Sequence, residues 1–142
     1  MFDYHIHSAV SFDGHDSGLA LATAAKEKGL QEICFTDHVD FDPLAVTQTM
    51  VFDVNAYNRE YDRLEVPGLK IRRGMEFGLL ENNQSLLLQR LSQRHYDFVL
   101  GSVHFVHGLD VYFREYWQGK IPGDAQRDFL EETLKRIKVH ED

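Results

Sequence analysis

The sequence carries one cysteine, Cys34, among 142 residues, so no intrachain disulfide can staple the fold. That thiol lies inside the apolar run Ile33-Cys34-Phe35 and reads as packing rather than chemistry. Positive charge is also scarce: 15 Lys and Arg face 23 Asp and Glu, for a formal net charge of −8. A general nucleic-acid binder needs clustered cations for the phosphate backbone, so that class is set aside. A small phosphorylated substrate is still allowed, because bound metal ions can supply positive charge locally. No apolar stretch is long enough to span a membrane. The N-terminus enters a strand-like segment at once, without a basic or apolar leader, so the expectation is a cytoplasmic protein. Hydrophobic residues make up 43%, which suits one soluble domain over 1–142 with its own core.

What is plentiful is histidine, with eight residues. Two stand in the opening stretch Asp3-Tyr4-His5-Ile6-His7-Ser8. Residues two apart on a strand share a face, so His5 and His7 project together and make half of a transition-metal site. Alone, a His-x-His pair is equally well read as one buried and one exposed histidine. The chain beyond it reads as alternating strands and helices. Ser17 or Asp16 caps a helix over Leu19 to Lys28, with Leu19, Ala22 and Ala25 as its buried stripe and Gly29 as its stop. Glu32 to Thr36 is a second strand, ending at Asp37-His38. Val39 to Val54 has no clear period and reads as an excursion over one face. Asn55 opens a helix to about Glu65, which Pro67-Gly68 stops. Lys70 to Met75 is a third strand with Glu76 at its end, and Asn82-Asn83 opens the next helix. Asp97 to Val103 is a fourth strand, ending at His104. A last helix runs from about Asp124 to Val139, with Phe129, Leu130, Leu134 and Ile137 as its apolar face. This β/α alternation predicts an α/β fold of about four parallel strands.

Each of those four strands ends in a side chain able to ligate a metal. In parallel β/α folds the C-terminal strand ends share one edge, where active sites sit. Four independent placements there are hard to assign to packing, and Asp13, in the loop after strand one, lies on the same side. His5, His7, Glu76 and His104 can serve one metal pair, with Asp13 and His38 serving a neighbour. Imidazole and carboxylate ligands suit Zn, Mn or Fe without choosing among them. Paired metals favour hydrolysis of phosphate esters, because they activate water and hold both entering and leaving oxygens.

These motifs resemble the PHP superfamily of metal-dependent phosphoesterases, and most of all its histidinol-phosphate phosphatase branch. The resemblance rests on Asp3-Tyr4-His5-Ile6-His7-Ser8, Asp13, Phe35-Thr36-Asp37-His38, Gly74-Met75-Glu76 and Asp97 through His104. It implies a distorted (β/α)7 barrel and two or three divalent metal ions in the complete site. The metal ligands would be His5, His7, Asp13, His38, Glu76 and His104. It also implies hydrolysis of L-histidinol phosphate by a metal-bound hydroxide, a step of histidine biosynthesis. Another phosphate monoester or a nucleotide is the alternative substrate. The family barrel has about twice the strands found here, and its later histidine and Asp-x-His motif have no counterpart after His104. The resemblance therefore implies the N-terminal half of such an enzyme. Its open strand edges predict a homo-oligomer, and a third reading is a metal-binding, oligomerising remnant without turnover.

The remaining candidates have plainer readings beside the functional one. His15 and His107 read as loop residues, with a reach to the site or to phosphate as the alternative. His95 reads as a helix-end charge. Asp37 is read either as a cap or turn residue or as a hydrogen-bonding support for a ligand. Arg72 and Arg73 flank strand three without being clear phosphate clamps. The cluster Tyr112 to Trp117 reads as core packing or as a lid.

Overall fold

The computed structural model describes residues 1–41 and 50–141. The chain opens with β1 (Phe2–Ile6), followed by α1 (Gly18–Glu27). Ser17 caps α1 by accepting the Ala20 N–H at 3.2 Å, and Gly29 follows its end at φ 79°. Next come β2 (Glu32–Phe35), β3 (His38–Asp40), β4 (Met50–Val51) and α2 (Val54–Tyr61). The central strand β5 (Lys70–Gly78) precedes α3 (Gln84–Gln93) and β6 (Phe98–Ser102). The C-terminal part holds the ribbon β7 (Phe105–Val106) and β8 (Leu109–Asp110), the single turn α4 (Arg114–Trp117) and the long α5 (Pro122–His140).

Four parallel strand positions follow one another in chain order. β1 pairs with β2, and β2 with the first half of β5. β3 continues β2 in the same register after a break at Thr36-Asp37, pairing His38 with Glu76. β6 lies along the other side of β5. This is the α/β arrangement that the sequence predicts, in the form of a partial barrel. Among the described residues of this sheet only β4 is antiparallel, pairing with β3 at Asp40 and Val39, and β7 and β8 form a separate antiparallel pair.

Alternation along the strands separates two faces. Ile33, Phe35, Met75 and Phe77 are buried together with Ala22, Ala25, Tyr57 and Tyr61 of the helices. Phe35 stacks on Tyr61 with ring centroids 4.6 Å apart, and Tyr57 donates its hydroxyl to the Gly74 carbonyl at 2.8 Å. The opposite face carries the polar and metal-competent side chains. A register shift in β1 between Asp3 and Ile6 brings both Tyr4 and His5 to that face. Tyr4 donates to Glu32 there at 2.6 Å, while His5 reaches Glu76 at 2.9 Å.

Several boundaries and faces differ from the sequence reading. α2 begins after Asp53, which caps the Ala56 N–H at 2.8 Å, and it ends at Tyr61 rather than near Glu65. β5 runs to Gly78, so Glu76 lies within the strand and not at its end. Of the excursion read over Val39 to Val54, residues 42–49 lie outside the described residues. Its two flanks are the paired strands β3 and β4. Leu19 is exposed, because α1 docks through Gly18, Ala22 and Ala25. A Cβ on Gly18 would stand 2.8 Å from the Tyr61 ring, so only glycine lets the helix approach there.

The face of α5 is the largest correction. Leu130, Leu134 and Ile137 are exposed, while Ala125, Glu132 and Arg136 are buried and Phe129 is half-buried. The helix is anchored by polar contacts: Arg136 donates to the Leu79 carbonyl at 2.9 Å and lies 3.3 Å from Glu132. Arg136→Ala is expected to cost about 1–3 kcal/mol, because it leaves the buried Leu79 carbonyl without its donor and Glu132 with Lys135 alone. Leu134→Ser is expected to change stability by less than about 0.5 kcal/mol. Denaturant unfolding of both variants checks this, and the reverse order would place the apolar stripe inward.

Candidate metal centre

Three strands deliver the predicted side chains to one place. Glu76 sits in β5 in register with His38 of β3, and β1 ends beside them with His5 and His7. His104 follows β6 by two residues. Glu76 Oε2 lies 2.9 Å from His5 Nε2 and 2.9 Å from His7 Nε2, and Glu76 Oε1 lies 3.0 Å from His104 Nε2. Asp13 Oδ2 stands 3.0 Å from His7 Nδ1 and 3.4 Å from His38 Nε2. The six residues singled out from the sequence are therefore brought together. Asp40, which the sequence reading left aside, joins them: its two oxygens lie 2.7 Å from His38 Nδ1 and 2.9 Å from His104 Nδ1.

Most of these close pairs are hydrogen bonds, but one at the centre is not. His7 Nε2 is buried and 2.9 Å from a carboxylate oxygen, yet makes no aligned hydrogen bond. Atoms about 2.0–2.2 Å from a shared ion stand roughly 3 Å apart with lone pairs aimed at the ion rather than at each other. His5, His7 and Glu76 form one such triad, and His7, Asp13 and His38 a second that shares His7. His38, Asp40 and His104 form a third. This donor set of imidazole nitrogen and carboxylate oxygen can hold divalent metal ions.

Electrostatics follow from the same packing. Burial opposes a charge on His7, but Glu76 and Asp13 outweigh it and push the imidazole up to about 8. Burial likewise opposes a charge on His104, where Asp40 and Glu76 prevail and push it up to about 10. Burial alone would raise Glu76, yet His104, His7 and His5 hold its carboxyl well below the usual range. Asp40 is lowered in the same way by His104 and His38 against its burial.

A buried network fixes the loop that carries His7. Asp37 accepts the Ser8 N–H at 2.8 Å and the Tyr61 hydroxyl at 2.6 Å, and Tyr61 also meets the Ser8 hydroxyl. Asp37 is thus neither a helix cap nor a partner of His38. It breaks the strand and ties the end of β1 to α2. Ser11 accepts the His38 N–H at 3.0 Å from the same loop.

Other candidates lie elsewhere. His15 and His95 are exposed. His107 pairs with Asp128 of α5 at 2.9 Å. Arg72 engages Glu32 and Asp97, and Arg73 donates to the Tyr61 and Asp62 carbonyls. In the aromatic cluster Tyr116 is fully buried, whereas Tyr112, Phe113 and Trp117 are exposed. The signal for Asp40 was present in the sequence as His38-Val39-Asp40, a second one-residue alternation of ligand-type side chains.

Fold and cluster together define a β/α protein whose gathered imidazoles and carboxylates could hold metal ions. The PHP domain family matches residues 3–139. The chain belongs to that family. It is 36% identical over 134 residues to a histidinol-phosphatase of Lactococcus lactis subsp. lactis, covering 90% of this chain and 48% of that protein. It is 28% identical over 141 residues to a probable histidinol-phosphatase of Clostridium acetobutylicum, covering 99% of this chain and 54% of that one. A crystal structure of histidinol phosphate phosphatase from Lactococcus lactis, complexed with zinc, L-histidinol and phosphate, superposes with a TM-score of 0.85. That match has 32% sequence identity and covers 96% of this chain and 53% of the other. The chain spans about half the length of the curated relatives it matches.

Two proton-linked outcomes follow. Zinc binding at pH 7 is expected to release protons, because His7 and His104 hold them in the metal-free chain. Calorimetry in buffers of different ionisation heat reads the number released, and none would contradict the cluster geometry. The raised His104 value also gives stability that is complete below its unfolded value of about 6.5. That share is lost as pH rises through about 10. Denaturant unfolding of chelator-treated protein between those limits should show the decline.

Proposed function

We propose that His5, His7, Asp13, His38, Glu76 and His104 are metal ligands and that the chain forms the first half of a metal-dependent phosphatase barrel. Its substrate is L-histidinol phosphate, cleaved to histidinol and phosphate as in histidine biosynthesis. The observation that carries the reading is the buried Glu76 carboxylate, faced by His5 and His7 from the end of β1, His38 of β3 and His104 after β6, with His7 Nε2 unaligned to it. The names of the relatives support the substrate, and the zinc, L-histidinol and phosphate in the Lactococcus lactis structure support the metal and ligand classes. Manganese and iron suit the same donors.

Bound divalent ions would supply Lewis acidity toward the phosphoryl oxygens and a water activated for attack. The residues here do the positioning. Glu76 presents one oxygen to the His5 and His7 side and the other to the His104 side, so it could help to hold ions with either group. Asp13 closes the loop side of His7 and His38. Asp37, Tyr61 and Ser8 hold the His7 loop against the sheet.

Phosphate release from L-histidinol phosphate, measured with zinc or manganese and beside a nucleotide monophosphate, tests the proposal. Preference for L-histidinol phosphate is expected. Glu76→Gln, which replaces the central carboxylate by an amide, should abolish both zinc retention and phosphate release. Equal rates on both substrates would favour a broader phosphomonoesterase. A second reading, a metal-binding chain that self-associates without turnover, is favoured by the exposed Leu130, Leu134 and Ile137 of α5. Retained zinc, no turnover and a solution mass above that of the monomer would support it.

A further inference from the structure

We propose that Asp40 is the positioning carboxylate of the metal centre. It accepts an Nδ1 hydrogen from both His38 and His104 and so turns the bare Nε2 of each toward the metal. This rests on the reading of His38 and His104 as ligands.

Asp40 is 1% exposed and stands two residues after His38 on β3, so the two side chains share a face. Oδ1 meets His104 Nδ1 at 2.9 Å in a hydrogen bond. Oδ2 lies 2.7 Å from His38 Nδ1. That second pair is out of line for a hydrogen bond, and both atoms are buried without another aligned partner. That hydrogen bond is assigned to the metal-loaded chain. The other nitrogens face the remaining donors of the centre. His38 Nε2 is 3.4 Å from Asp13 Oδ2, and His104 Nε2 is 3.0 Å from Glu76 Oε1 and 2.8 Å from the Ser102 hydroxyl.

Once a metal displaces the Nε2 hydrogens, the chemistry fixes the tautomers. An ionised carboxylate only accepts, so each nitrogen facing Asp40 must carry its hydrogen. A neutral imidazole has one hydrogen, which leaves Nε2 bare for a metal. A carboxylate behind a ligand histidine also raises the basicity of the ring and holds its plane. Here one carboxylate serves two rings from two strands, and so couples the loop after β6 to β3. The opposing strand is adapted to it: a Cβ on Gly78 would stand 1.8 Å from Asp40 Oδ1. Any other residue at 78 would displace the carboxylate. The rival geometry makes Asp40 itself a ligand in the His38, Asp40 and His104 triad. That arrangement would need both rings to ligate through Nδ1.

Nitrogen-15 NMR of the imidazoles in the zinc-loaded wild-type chain separates the two. Protonated Nδ1 with metal-shifted Nε2 at His38 and His104 is expected. Metal at Nδ1 of either ring overturns the proposal, whatever a variant does. Zinc affinity, read by competition with a chromophoric chelator, is expected to fall about 10–100-fold in Asp40→Asn. The amide offers only one acceptor oxygen for two rings. Gly78→Ala, which pushes the carboxylate away, should fall in the same range. Zinc bound by wild type with unchanged affinity in folded Asp40→Asn overturns this proposal alone. Failure of the wild-type chain to bind zinc overturns the reading of the centre and this proposal with it.

Discussion

A buried carboxylate is the constraint on which the rest depends. Glu76 is 2% exposed, and four imidazoles stand around it: His5, His7 and His104 within 3.0 Å and His38 at 3.8 Å. Removing a carboxylate from water costs several kcal/mol unless cations or donors replace the solvent. Here the compensation comes from strands on either side of β5, so the site and the sheet hold each other in place. A sheet with a different strand order would leave Glu76 buried and unpaired.

The sheet meets this demand through register. β2 and β3 run as one strand along β5, which sets His38 opposite Glu76. The interruption between them turns Asp37 inward, where it ties Ser8 and Tyr61 together. One break in one strand thus fixes the loop that bears His7 while keeping His38 in line. The register shift in β1 acts on the other side, bringing His5 to the metal face together with Tyr4. The irregularities of the sheet sit beside the clustered imidazoles and carboxylates.

Much of this was legible in the sequence. His5-Ile6-His7 announces a shared face, and the recurrence of His or Glu late in each predicted strand locates the side where they gather, although β5 runs two residues past Glu76. Ser17 and Gly29 mark both ends of α1 in sequence and structure alike. Asp40 escaped because the apolar run stops at Thr36-Asp37, and composition cannot show a strand resuming in register after a polar break. The outward face of α5 escaped for a related reason. Helical periodicity ranks Leu130 and Leu134 as core, but the helix is held by Arg136 at the Leu79 carbonyl, and no pattern reveals where a backbone acceptor is waiting. Leu19 was displaced from the buried stripe by Gly18, whose missing Cβ lets α1 approach Tyr61.

The most direct measurement is a crystal structure of the chain grown with zinc, with anomalous data collected at the zinc edge. The account predicts anomalous peaks on both sides of Glu76, one within bonding distance of His5 and His7 and the other of His104. Zinc found only elsewhere, with the imidazoles hydrogen-bonded directly to Glu76, would contradict it.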